Sequence, residues 1–198
     1  SSATVIISQY FGANDRDGVN RALHTAMLFA LVGGAFIMVL GLVGTEFMLR
    51  LMDTPEDTIA GSALYLRIMF MGMVPNMVYN VGSAILRAMG DSKRPLYFLI
   101  VACLSNVVLD LVFVLVFKMG IAGVAIASIL AQAISAVMVV MSLSAESMEY
   151  RFRFRQMRFE GDILSRTIRI GLPAGFQSIM YSLSNMLIQA SVNRFGTD

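Results

Sequence analysis

The stretch Tyr97–Phe117, YFLIVACLSNVVLDLVFVLVF, decides the fold because it is apolar over almost its whole length. A helix needs about 20 such residues to cross the hydrocarbon core of a bilayer. Counted from Leu96, the stretch is therefore predicted to be a transmembrane helix. Two polar side chains interrupt it, Asn106 and Asp110, and their four-residue spacing places them on one helix face. This face is the first candidate for a functional site.

Asp110 needs an explanation, because inserting a carboxylate into a membrane span costs at least about 2.5 kcal/mol. One interpretation is structural: a hydrogen bond between packed helices, or a counter-ion for an arginine. The other is an ion or proton site, the default hypothesis for an intramembrane acid. Burial favours the protonated form of a carboxylate, and the amide of Asn106 is able to bond either form. Because carboxylate and amide oxygens also bind hard cations, the residues leave proton and sodium open.

The composition points to a polytopic membrane protein, and the motifs that the sequence lacks argue against an enzyme. The 198 residues are 57% hydrophobic and 14% charged, whereas soluble domains are about 45–50% apolar and about 25% charged. The one cysteine, Cys103, excludes a disulfide within the chain. The sequence has neither an HExxH nor a GxSxG motif, and His24 is its single histidine. We therefore expect no metal and no cofactor. Separately, the start without methionine predicts that the sequence is a fragment.

Five apolar stretches are predicted to span the membrane, after a short segment that ends a further helix. The short segment is 3–11, and the spans are 22–51, 58–89, 96–117, 121–143 and 163–194. Pro75 and Pro173 lie inside two of these spans and predict helix bends. A ridge of small residues at four-residue spacing predicts close helix packing in the fourth span; it consists of Gly123, Ala127, Ala131 and Ser135. The predicted fold class is all-α, a polytopic bundle of membrane helices.

Lysines and arginines concentrate on one side of the predicted bundle. Antiparallel crossing places the turns 13–21 and 90–95 and the segment 144–169 on that side, which the positive-inside rule makes cytoplasmic. The acidic turn Asp53–Asp57 then faces outward.

Basic and aromatic residues alternate in Tyr150–Phe159, a pattern that also occurs in nucleic-acid binding. Directly after a span, it is better interpreted as an interfacial segment, so the expected partner is the bilayer and no nucleic acid.

Three motifs carry a resemblance to a known family. They are SQYFGAND (Ser8–Asp15), RAMGDSKRP (Arg87–Pro95) and GLPAGFQS (Gly171–Ser178). In this order and on these helices they resemble the multidrug and toxic compound extrusion (MATE) family, twelve-helix antiporters built from two six-helix lobes. The resemblance implies that residues 1–143 hold the end of helix 2 to helix 6 of the first lobe. It makes 144–162 a cytoplasmic inter-lobe linker and 163–198 helix 7, the first helix of the second lobe.

The resemblance also implies a set of cation- or proton-binding residues. The proton-coupled prokaryotic branch of the family carries an acid on helix 5 with an asparagine one turn earlier, which match Asp110 and Asn106. Ser128 stands where helix 6 of the family carries a hydroxyl. Asn80 is the matching residue on helix 4, with Asn76 as an alternative.

The implied function is secondary active multidrug efflux, in which organic cations or drugs leave in exchange for protons or sodium by alternating access. A sodium-coupled branch carries a glutamate on helix 7, where this chain has Tyr181, and this departure favours the first-lobe site. The resemblance further implies a multi-pass protein of the prokaryotic plasma membrane that works as a monomer when full length. The alternative is a lipid-linked oligosaccharide flippase of the same superfamily. That function would prefer a cationic cavity, for which Arg67 is the mid-span candidate.

Overall fold

The computed structural model describes residues 2–51, 55–144 and 158–196, and within this part of the chain it contains helices and no strands. The seven α-helices are α1 (Ser2–Gly12), α2 (Arg16–Leu51), α3 (Glu56–Met71), α4 (Met73–Ala88), α5 (Lys93–Leu111), α6 (Ile121–Leu143) and α7 (Gly161–Phe195). A π-helical segment, Val112–Val116, continues α5. The all-α fold class is thus confirmed. Most of the predicted linker 144–162, and all but the end of Tyr150–Phe159, lie outside the described residues.

Four helical stretches of the described chain are long and apolar enough to cross a membrane. They are Arg16–Leu51, Glu56–Ala88, Lys93–Val116 and Ile121–Leu143. The sequence predicts a fifth span at 163–194, and α7 has the length for one. It is less apolar than the other four because polar side chains such as Gln177, Ser182 and Asn185 recur along it.

The second of these spans is divided into two helices. α3 ends at Met71 and α4 begins at Met73, with Gly72 between them. The bend was predicted at Pro75, which instead occupies the third position of α4. A proline is tolerated there because the first turn of a helix needs no intrahelical N–H bond. Pro173, the other predicted bend, lies inside α7, which continues through it.

Helix α6 packs at the centre of the bundle against α3, α4 and α5. The ridge of small residues predicted from its spacing is buried, and Ala127 has no exposed surface. Close approach also depends on Gly82 of α4, where any side chain would overlap Val139 of α6. Small residues let helix backbones approach, which is the usual basis of packing in lipid. By contrast, the only buried residue of α5 is Pro95, so this helix lies at the edge of the bundle.

A cluster of buried apolar residues lies at the end of the bundle where α1, α4 and α6 finish and α2 and α7 start. It includes Ile7, Leu23, Leu86, Leu143 and Ile163, all fully or almost fully buried. Basic residues surround the same end, in agreement with the charge asymmetry of the sequence. They include Arg16, Arg21, Arg87, Lys93, Arg158, Arg166 and Arg169.

The start of α7 is attached to α1 and α2 by polar contacts at this end. Buried Thr25 donates its hydroxyl to the carbonyl of Arg158 at 3.1 Å and accepts the backbone N–H of Glu160 at 3.3 Å. Arg166 donates to the hydroxyl of Tyr10 at 2.9 Å and to Gln9 Oε1 at 2.8 Å. Its guanidinium also lies 5.5 Å from the centre of the Tyr10 ring, within the range of a cation–π contact. From Leu172 onward, α7 is exposed along its length.

Candidate functional site

Two of the predicted site residues contact each other across α5 and α6. The amide of Asn106 donates to the hydroxyl oxygen of Ser128 at 3.3 Å. Ser128 in turn donates to the carbonyl of Val124, one turn earlier on its own helix, at 3.1 Å. Both side chains are half-buried in a span that is otherwise apolar. The pair therefore joins α5 to α6 through oxygen and nitrogen atoms that lie within the membrane-spanning part of the chain.

Asp110 lies one turn after Asn106, and its Oδ1 is buried without a hydrogen-bond partner in the described structure. Buried polar atoms are nearly always paired, and an unpaired carboxylate oxygen is especially costly. An oxygen in this position is able to accept a proton or to bind a cation. The π-helical segment Val112–Val116 begins two residues later. Single π-turns inside α-helices are frequent at functional sites.

Asn80 is not joined to this group by a hydrogen bond. Its amide donates to the backbone carbonyl and to the Oδ1 of Asn76, both at 2.8 Å. Within the described residues, the two asparagines of α4 make no hydrogen bond to Asn106, Ser128 or Asp110. The structure therefore shows two polar pairs, one on α4 and one between α5 and α6.

Two further polar side chains lie near these pairs and carry no predicted role. Gln132 follows Ser128 by one turn of α6 and contacts Gly72 at the break between α3 and α4. The signal for it was present in the sequence, because a four-residue spacing places it on the face of Ser128. Ser83, on α4 after Asn80, has a buried hydroxyl without a hydrogen-bond partner in the described structure. In the described residues, no group of three or more His, Cys, Asp or Glu side chains is placed to hold a metal ion.

Arg67, the mid-span cation of the sequence analysis, is paired and does not supply a free charge. Its Nη2 lies 3.3 Å from Oε1 of Glu46 on α2. Both side chains are about half exposed, so the pair resembles a surface salt bridge, worth about 0–1 kcal/mol. The described residues therefore give no sign of the cationic cavity that a flippase would prefer.

The bundle, with four helical stretches able to cross a membrane, is that of a polytopic membrane protein. Residues 1–112 match the family model described as MatE, and the chain belongs to that family. Family membership confirms the resemblance found in the motifs. Since members of the family are transporters, it also confirms the expectation of a transport protein and not an enzyme.

Relatives with curated names cover the whole chain but are much longer than it. The chain is 31% identical over 205 residues to the probable multidrug resistance protein YoeA of Bacillus subtilis (strain 168), covering 100% of the chain and 44% of the relative. The probable multidrug resistance protein YpnP of the same organism is 32% identical over 196 residues, with 99% and 44% coverage. The chain thus spans less than half the length of these relatives.

Solved structures confirm the fold. A crystal structure described as MATE in the bent conformation superposes with a TM-score of 0.90 at 22% identity, covering 96% of this chain and 43% of that one. An outward-facing multidrug resistance MATE family transporter of the MOP superfamily gives a TM-score of 0.85 at 23% identity, with 93% and 41% coverage.

Proposed function

We propose that the chain is the first-lobe part of a secondary active multidrug efflux transporter, with 144–162 as the inter-lobe linker and 163–198 as the first helix of the second lobe. The transporter exports organic cations or drugs in exchange for protons or sodium by alternating access. The names of the bacterial relatives support multidrug substrates. The observation that carries the coupling part is Asp110, one of whose carboxylate oxygens is buried without a hydrogen-bond partner among the described residues, one turn from the Asn106–Ser128 pair.

The site chemistry follows from these three side chains, with Asn80 as a further member. When Asp110 is ionised, it binds the incoming proton or sodium ion, and the neighbouring amide and hydroxyl oxygens suit a hard cation. Loading removes a buried charge from the edge between α5 and α6, which changes the relative free energies of two packing arrangements. The ion gradient then biases the equilibrium between the inward-open and outward-open states.

The proposal also covers the location, the oligomeric state, the cofactors and the substrate-binding surface of the transporter. It lies in the prokaryotic plasma membrane, works as a monomer, and uses no cofactor besides the coupling ion. Among its 198 residues are 16 methionines and 13 phenylalanines, whose polarizable and aromatic surfaces suit varied apolar cations.

Reconstitution of the complete transporter tests the proposal. Proteoliposomes loaded with a fluorescent organic cation receive a pH gradient or a sodium gradient, one at a time, and an ionophore that collapses each gradient serves as the control. We expect the flux to increase under one gradient and to return to the control level when that gradient is collapsed. A response to pH alone assigns the proton, and a response to sodium alone assigns sodium. Equal fluxes under all conditions would contradict gradient coupling.

The proposed orientation has its own test. Lys93 and Asp57 are both exposed and lie at opposite ends of the bundle. Lys93→Cys and Asp57→Cys, each in a Cys103→Ala background, are treated in intact cells with a thiol reagent that does not cross membranes. We expect labelling at position 57 only, because the positive-inside rule places Lys93 in the cytoplasm. Labelling at position 93 before the cells are opened would reverse the topology.

A further inference from the structure

Residues 158–166, which lead into α7 and form its start, are bonded to α1 and α2 at two separate points. At one point, the hydroxyl of Thr25 on α2 bonds the main chain before α7. At the other, Arg166 donates to two side chains of α1. Between these points Ile163 is 1% exposed, within the buried cluster at this end of the bundle. We call this contact the α7 latch, and it consists of Gln9, Tyr10, Thr25, Ile163 and Arg166 with the main chain at 158 and 160.

Beyond the latch, α7 separates from the other described helices. It continues without interruption over Gly161–Phe195, a length of about 52 Å. An open cleft of about 400 Å³ is lined by Phe29 of α2 and by residues of α7 that include Phe176. Farther along, the hydroxyls of Ser178 and Ser191 donate to carbonyls of α7 itself. The latch therefore fastens one end of a long helix whose remainder is exposed.

The polar contacts of the latch are of a kind that opens reversibly. The two hydrogen bonds of Arg166 lie at exposed positions, where water replaces them when the helices separate. Exchange with water keeps the net stabilisation by each hydrogen bond small. Burial of Ile163 adds an apolar contribution that favours the closed contact. A latch of this composition holds two helices together and still permits a second, released state of similar free energy.

We propose that the α7 latch is the closed gate at the basic end of the bundle, and that it opens whenever this end of the transporter opens to water. The inference rests on the proposed function, in which α7 begins the second lobe and access alternates between the two sides. Separation of the lobes at this end then carries the start of α7 away from α1 and α2. The opposite arrangement is a fixed anchor, in which 158–166 stays on the first lobe throughout the cycle.

Two substitutions on α2 separate the latch from general packing. Thr25→Val keeps the shape of the side chain and removes both of its hydrogen bonds to the main chain before α7. Thr45→Val is the matched control, because it makes the same change at a buried position where the hydroxyl donates to the carbonyl of Gly41 within α2. If Thr25→Val does not fold in detergent, Tyr10→Phe takes its place. It removes the hydroxyl that accepts from Arg166 and keeps the ring.

Opening of the latch is measured without transport. Spin labels are attached to Lys93→Cys on α5 and Ser165→Cys on α7, both exposed, in a Cys103→Ala background of the complete transporter. We expect electron–electron double resonance to show a shorter, latched distance and a longer, released one. Loss of the Thr25 hydrogen bonds should raise the ratio of released to latched molecules about tenfold, and Thr45→Val should leave it unchanged. A single distance that Thr25→Val does not alter would overturn the inference.

A reversible cross-link distinguishes a gate from a fixed anchor. Tyr10→Cys and Arg166→Cys are joined, in the same background, by a bifunctional thiosulfonate reagent that a reductant removes. We expect cross-linking to stop gradient-driven efflux and reduction to restore it, while each single-cysteine variant treated in the same way retains efflux. Undiminished efflux through the cross-linked protein would identify a fixed anchor. If the unmodified transporter responds to neither gradient, the proposed function fails, and the distance distributions alone decide whether the latch opens.

Discussion

Asp110→Asn is expected to produce a folded, membrane-inserted transporter whose gradient-driven export falls to the level of protein-free liposomes. The substitution keeps the shape of the side chain and removes a buried charge, so packing is preserved. It also fixes the site in a neutral form. An ion shifts the equilibrium between two conformations only if it binds one of them more tightly than the other. A site that no longer binds the ion therefore cannot couple the ion gradient to the conformational change. Efflux under imposed pH and sodium gradients measures this loss.

Asp91→Asn is the matched control, because it neutralises a carboxylate on the turn before α5 and outside the apolar part of the span. Asp91 Oδ1 accepts the backbone N–H groups of Lys93 and Arg94 at 3.2 and 3.1 Å. Asparagine keeps an Oδ1 that accepts these N–H groups and loses only the surface ion pair of Asp91 Oδ2 with Arg94 Nε at 3.2 Å, so stability should change little and export should persist. Asn106→Ala should weaken coupling less than Asp110→Asn, since it removes a neighbouring amide and not the carboxylate. Full gradient-driven export by Asp110→Asn would reduce the carboxylate to a packing residue.

Ala127→Leu is expected to abolish most of the folded yield. Ala127 is completely buried on the ridge of α6, and Ala131, one turn later, is 4% exposed. A leucine at either position adds three carbon atoms where backbones meet closely. Overpacking of a well-packed core costs about 1–3 kcal/mol, and more where the backbones themselves must separate. The measurement is the monodisperse fraction after extraction into detergent.

Ala133→Leu makes the same chemical change on the same helix at a position that is only partly buried. We expect its yield to stay close to that of the unmodified protein. Equal yields for Ala127→Leu and Ala133→Leu would show that the ridge tolerates bulk and does not determine helix approach.

The helices themselves were predictable because their signals are local. The predicted span 121–143 coincides with α6, and its small residues are buried as their four-residue spacing predicts. The shared face of Asn106 and Asp110 likewise follows from helix geometry alone. The family followed from short motifs such as RAMGDSKRP (Arg87–Pro95), and the match of residues 1–112 to the MatE family confirms it.

Contacts between helices were less predictable because they depend on which faces meet. The sequence showed a proline at position 75 but not an interruption at Gly72, which is packed against Ile129 and Gln132 of another helix. Arg67 was identified as a mid-span cation, yet its partner Glu46 lies 21 residues away on α2. Periodicity assigns residues to a face of their own helix and says nothing about the residue opposite.

Thr25 bonds to the main chain of Arg158 and Glu160 and not to their side chains. Its two hydrogen bonds would therefore survive almost any substitution at positions 158 and 160, apart from a proline at 160, which would remove the donated N–H. Position 25, by contrast, is restricted. Its buried side chain donates one hydrogen bond and accepts another through a single hydroxyl oxygen, which only serine or threonine provides at this size. Tolerance to mutation is thus one-sided across this contact: α2 is restricted in its chemistry, while the residues that lead into α7 are free to vary.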